Sequence, residues 1–91
     1  MTIELSPRFR RTARRYKGRE LAQIQAAMDA ILAGFGQPHA HAGLGIRKLR
    51  GRWFECRAGL DVRLLFFAEK SRLTFHLAGD HHDVKRFLRA V

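Results

Sequence analysis

The chain has 91 residues with 18 Lys and Arg against 8 Asp and Glu, a formal charge of +10. That length allows one domain with a small core, and the surplus charge points to a polyanionic or acidic partner: nucleic acid first, an acidic protein second. A single cysteine, Cys56, excludes an internal disulfide, and no apolar run approaches transmembrane length or resembles a secretory leader, so no membrane role and a cytoplasmic location are expected.

Thr2–Leu5 alternates and predicts a short strand. Ser6 followed by Pro7 is a helix start, with Ser as N-cap and Pro at the first helical position. The helix is expected over Arg8–Tyr16, with Phe9, Ala13 and Tyr16 on one face and Arg8, Arg11 and Arg15 on another. A second helix is expected over Arg19–Ala33. Leu21, Ile24, Met28, Ile31, Leu32 and Phe35 recur there at helical spacing as a core stripe, and Gly34, Gly36 and Pro38 end it. The two helices form a hairpin whose apolar faces need a sheet to cover.

The segment 37–43 reads as a loop. Its His39 and His41 lack a third ligand at recognisable spacing, so no metal or other cofactor is assigned. Four strands follow, Gly45–Leu49, Trp53–Arg57, Val62–Ala68 and Arg72–Leu77, separated by short turns. A last helix is expected over His81–Ala90, with Asp80 as N-cap and Asp83 completing a capping box. The fold class is α+β: an N-terminal strand and a two-helix hairpin packed on a mainly antiparallel sheet, closed by a short C-terminal helix.

Period-two alternation assigns the faces. Phe54 and Cys56 share one face with Val62, Leu64 and Phe66. Trp53, Glu55, Arg57, Asp61 and Arg63 share the other. A three-residue loop over Ala58-Gly59-Leu60 would set Arg57 opposite Asp61 and Glu55 opposite Arg63. Cross-strand ion pairing on a solvated face would explain such a cluster by itself. Its neighbours extend it: Lys48 and Arg50 from the preceding strand, His81 and His82 just beyond the last one. RNA cleavage needs a base for the 2′-hydroxyl, an acid for the leaving oxygen and cations for the phosphorane. Imidazole suits the proton transfers and guanidinium the phosphate, so the set could act without a metal. His76 is expected on the polar face. Trp53 could stack a base or pack at the sheet edge. Cys56 reads as a small buried hydrophobe.

The ordered set Arg47-Lys48-Leu49-Arg50-Gly51, Trp53, Glu55-Cys56-Arg57, Asp61-Val62-Arg63-Leu64-Leu65-Phe66 and Gly79-Asp80-His81-His82 resembles the RelE/ParE family of bacterial toxins over nearly the whole chain. The resemblance implies one toxin domain over residues 1–91. It implies a ribosome-dependent endoribonuclease that cuts mRNA, neutralised by an acidic antitoxin, with DNA contacted only through that antitoxin. Under it His81, Asp61, Arg63 and Arg57 are the catalytic candidates, and Lys48, Arg50, His82 and Glu55 the RNA-binding ones. Asp61 and His81 match the YafQ-like branch, which has His where this chain has Arg57, and Phe87 stands where RelE has a catalytic Tyr. The alternatives are a gyrase-targeting toxin of the ParE type and a degraded member that only binds its antitoxin.

Overall fold

A computed structural model describes residues 1–37 and 45–91. His39 and His41 lie outside the described residues. The elements are β1 (Thr2–Leu5), α1 (Pro7–Ala13), α2 (Gly18–Gly34), β2 (Arg47–Arg50), β3 (Trp53–Arg57), β4 (Arg63–Ala68), β5 (Arg72–Gly79) and α3 (His81–Arg89). The five strands form one sheet in the order β1-β5-β4-β3-β2. β1 runs parallel to β5 and the other pairs are antiparallel. The expected α+β architecture is therefore observed.

α1 starts as its sequence dictates. Ser6 accepts from the Phe9 backbone N–H at 3.0 Å, and Pro7 occupies the first turn. It ends earlier than Tyr16, because Arg15 and Tyr16 donate back to the Thr12 and Ala13 carbonyls in tighter turns ahead of Gly18 (φ 59°). Arg8, Arg10, Arg11, Arg14, Arg15, Lys17 and Arg19 are all exposed. α2 packs through Ile24 and Ile31, joined by Ala27, Met28 and Phe35. Its stripe is narrower than the sequence spacing implies. Leu32 is 47% exposed, about 100° round the helix from Ile31, and Leu21 in the first turn is 37% exposed.

The inner face of the sheet carries Cys56, Leu64, Phe66, Leu73 and Phe75 against Phe9 and α2. Phe66 stacks on Phe54 and touches Phe75, which meets Phe9 at 5.5 Å. Each such side chain contributes roughly 1.5–3 kcal/mol by leaving water. Burial pushes the Cys56 thiol up to about 12, so it is a packing group. On the outer face, Leu65, Leu77 and Val84 form a second cluster with Leu49, Trp53, Phe87 and Leu88.

β5 is longer than β1 and needs another neighbour beyond Leu5. Thr12 supplies it: its Oγ1 accepts from the Ala78 N–H at 3.0 Å and donates to the Arg8 carbonyl at 2.9 Å. A bulge in β5 breaks the alternation between Phe75 and Leu77. Leu77 consequently joins the outer cluster, not the inner face, while His76 faces outward as its sequence position implies.

Candidate functional site

The site is built by the hairpin β3–β4, the edge strand β2 and the first turn of α3. The hairpin loop is longer than expected. The Ala58 N–H donates to the Val62 carbonyl at 2.9 Å, closing a five-residue loop in which Gly59 takes φ 94°. The register therefore slides by two residues. Arg57 lies opposite Arg63, and Glu55 opposite Leu65. A two-residue slide keeps every side chain on its face but changes its partners.

Like charges directly opposite each other repel. Glu55, diagonal to Arg63, offsets this. Its Oε2 lies 3.6 Å from Arg63 Nε and 3.6 Å from Nη2 of Arg47, which stands opposite Glu55 on β2. The Glu55 side chain is only 8% exposed, and Oε1 has no hydrogen-bond partner among the described residues. Arg63 is also aimed by its own loop, donating to the Leu60 carbonyl at 3.2 Å.

α3 brings the histidine. The Asp80 carboxylate accepts from the Asp83 N–H at 2.8 Å, and the Asp83 carboxylate accepts from the Asp80 N–H at 2.9 Å. Backbone donation from Asp83 holds the Asp80 carboxyl below the usual carboxylate range. Gly79 is required here: a Cβ at this position would meet the Asp83 carboxylate at 2.6 Å and its Cβ at 2.8 Å. The box fixes the chain so that His81 turns into the cleft.

The resulting cleft, about 500 Å³, is lined by Gly45, Ile46, Arg47, Glu55, Arg57, Arg63 and His81. Three guanidiniums and an imidazole surround one carboxylate, so the cleft favours a bound anion. Four of the residues picked from sequence meet there: Glu55, Arg57, Arg63 and His81. The other four do not line it. Asp61 is displaced by the longer loop into a separate cleft with Arg19, Glu20 and Gln23. Lys48 stands opposite Phe54, on the inner side of β2. A bulge between Lys48 and Arg50 returns Arg50 to the outer face, where it donates to the Leu88 and Val91 carbonyls. His82 is exposed beside His81, with ring centroids 5.8 Å apart.

Arg47 is the charged lining residue to which sequence reasoning gave no role. The alternation of β2 with Glu55 was the available signal, and the bulge obscured it. Trp53 packs edge-on with Phe67, His76 and Phe87, which occupies its ring in the outer cluster. Burial, then the nearby Arg8 guanidinium, lowers the His76 pKa from its ordinary 6.5. No group of three or more potential metal ligands occurs among the described residues, and no helix among them is long and apolar enough to cross a membrane.

No protein-family model matches the sequence, and no curated protein matches it significantly. Solved structures do match. A YoeB/ParE toxin from Agrobacterium tumefaciens superposes with a TM-score of 0.65 at 21% identity, covering 89% of this chain and 99% of that one. YafQ from E. coli strain BL21(DE3) gives 0.69 at 18%, covering 90% and 94%. YoeB in the YoeB–YefM toxin–antitoxin heterotetramer from Staphylococcus aureus gives 0.67 at 16%, covering 89% and 97%. The chain thus has the fold of the YoeB, YafQ and ParE-type toxins.

Proposed function

We propose that this chain is the toxin of a toxin–antitoxin pair, acting in the cytoplasm as a metal-independent endoribonuclease on ribosome-bound mRNA. The observation that carries this reading is the cleft itself: a largely buried carboxylate lining it together with three guanidiniums and an imidazole.

A proton must leave the ribose 2′-hydroxyl before its oxygen can attack phosphorus. The Glu55 carboxylate, part of the cleft lining, takes that proton. Oε2 remains tethered between Arg47 and Arg63. Arg63 and Arg57 hold the non-bridging phosphate oxygens and stabilise the charge that develops on them. His81 gives a proton to the departing 5′-oxygen. The P–O5′ bond breaks as the O2′–P bond forms, leaving a 2′,3′-cyclic phosphate and a 5′-hydroxyl. Asp61, outside the cleft, takes no part.

The surplus of cations also suits an acidic antitoxin laid over the cleft and α1. The similar YafQ has been solved in complex with DinJ, which supports a protein partner of this kind.

The test is induced expression in bacteria with mapping of transcript ends, wild type beside His81→Ala and Arg63→Ala. Cleavage within reading frames that leaves 5′-hydroxyl ends, and falls about 10²–10³-fold in each variant, is the expected result. Growth arrest with intact mRNA, or undiminished cleavage in both variants, would overturn it.

A further inference from the structure

The geometry points to Arg50 as a positioning residue for His81, acting through the length of α3; this rests on the reading of the cleft given above. The β2 bulge stands Arg50 opposite Trp53 on the outer face. From there one guanidinium nitrogen, Nη2, donates to the Leu88 carbonyl at 2.9 Å and to the Val91 carbonyl at 3.1 Å. These acceptors sit at the C-terminal end of α3. Carbonyls there lack intrahelical partners and carry the negative pole of the helix dipole, so a guanidinium satisfies both needs.

His81 is the first residue of the same helix, at the opposite end. Its imidazole has no hydrogen bond to another described residue, and its one ring contact is with His82, itself exposed. The imidazole therefore inherits its place from the backbone of α3, held at its own end by the Asp80–Asp83 box and at the other by Arg50. Nine residues span about 13 Å, so a tilt of about 4° shifts the far end by about 1 Å. A displacement of that size can cost about a hundredfold in rate. Val84, Phe87 and Leu88 hold α3 against the sheet, while Arg50 fixes the end farthest from the chemistry.

The rival assignment makes Arg50 a phosphate ligand for RNA, and the two differ in what they change. The experiment uses the full chain with Arg50→Gln and Arg50→Lys. Arg50→Gln is expected to lower kcat on ribosome-bound message about ten- to a hundredfold with KM unchanged. Arg50→Lys, which keeps the cation at the helix end, is expected to recover most of the turnover. RNA affinity, measured on a His81→Ala background so that substrate persists, is expected to keep its value and its salt dependence. The His81 ring resonances in NMR are expected to shift in Arg50→Gln and return in Arg50→Lys.

Unmoved His81 resonances would overturn the proposal. So would weaker RNA binding, with a log–log salt slope reduced by about one and kcat preserved, which would identify a phosphate ligand. If the wild-type chain cuts no RNA, the nuclease reading fails, while the His81 resonances still decide the role of Arg50.

Discussion

The two faces of the sheet solve different problems with the same strands. The inner face is apolar along β3, β4 and β5, and two helices cover it. The outer face is divided. Near α3 it holds a small apolar cluster, and beside that cluster Glu55, Arg57 and Arg63 form the floor of a charged cleft. Opposed Arg57 and Arg63, and a buried carboxylate with one oxygen lacking a hydrogen-bond partner among the described residues, are arrangements that packing alone would not favour. The inner face supplies the stability against which this outer arrangement is held.

That division can be broken at three places. On the inner face, Phe66→Ala removes a fully buried ring stacked on Phe54 and is expected to cost about 3–5 kcal/mol, read as a fall in the denaturant midpoint. On the outer face, Glu55→Gln keeps the shape but removes the proposed base, so RNA cleavage should fall about a hundredfold, with some loss of midpoint as Arg57 and Arg63 lose the carboxylate that offsets them; Asp61→Asn should stay within about twofold of wild type. Equal losses from Glu55→Gln and Asp61→Asn would erase the distinction between the two clefts.

The smallest effect concerns His76 in the outer cluster. Its folded-state pKa lies below the ordinary 6.5, so the unfolded chain binds more protons in the interval between the two values. The stability from its neutral ring is complete above pH 6.5 and declines as the pH falls towards the folded-state pKa. Arg8, whose guanidinium lies 5.0 Å from the Phe87 ring centroid, adds to the penalty on a second cation. His76→Phe should remove this step from the pH profile of unfolding. A step that persists in the variant would have to come from another group.

Local chemistry was the legible part of the sequence. Ser6-Pro7 and the Asp80–Asp83 pair mark helix starts by hydrogen bonds that close within a few residues, and both are realised. Alternation placed Cys56, Leu64 and Phe66 inward and Glu55, Arg57 and Arg63 outward, because strand period survives any two-residue slide. Partners across strands were less legible. Register depends on whether the loop after Arg57 has three residues or five, and Gly59 serves either. The bulges near Leu49 and His76 insert a residue that periodicity cannot announce, which exchanged Lys48 for Arg47 at the cleft and moved Leu77 outward.

The parallel pairing of β1 with β5 joins Thr2–Leu5 to Arg72–Phe75 and leaves the whole of α1, α2 and three strands between them. A first strand with no partner until its neighbour is made gives the chain many long-range contacts, which slows folding. During synthesis α1 and α2 can form early, but the sheet that covers them is completed only as β5 emerges. His81 follows β5 directly, so the cleft gains its imidazole after nearly every other element exists. A nascent chain therefore carries Arg47, Arg57 and Arg63 before it carries His81, and the cleft is complete only once α3 has been added.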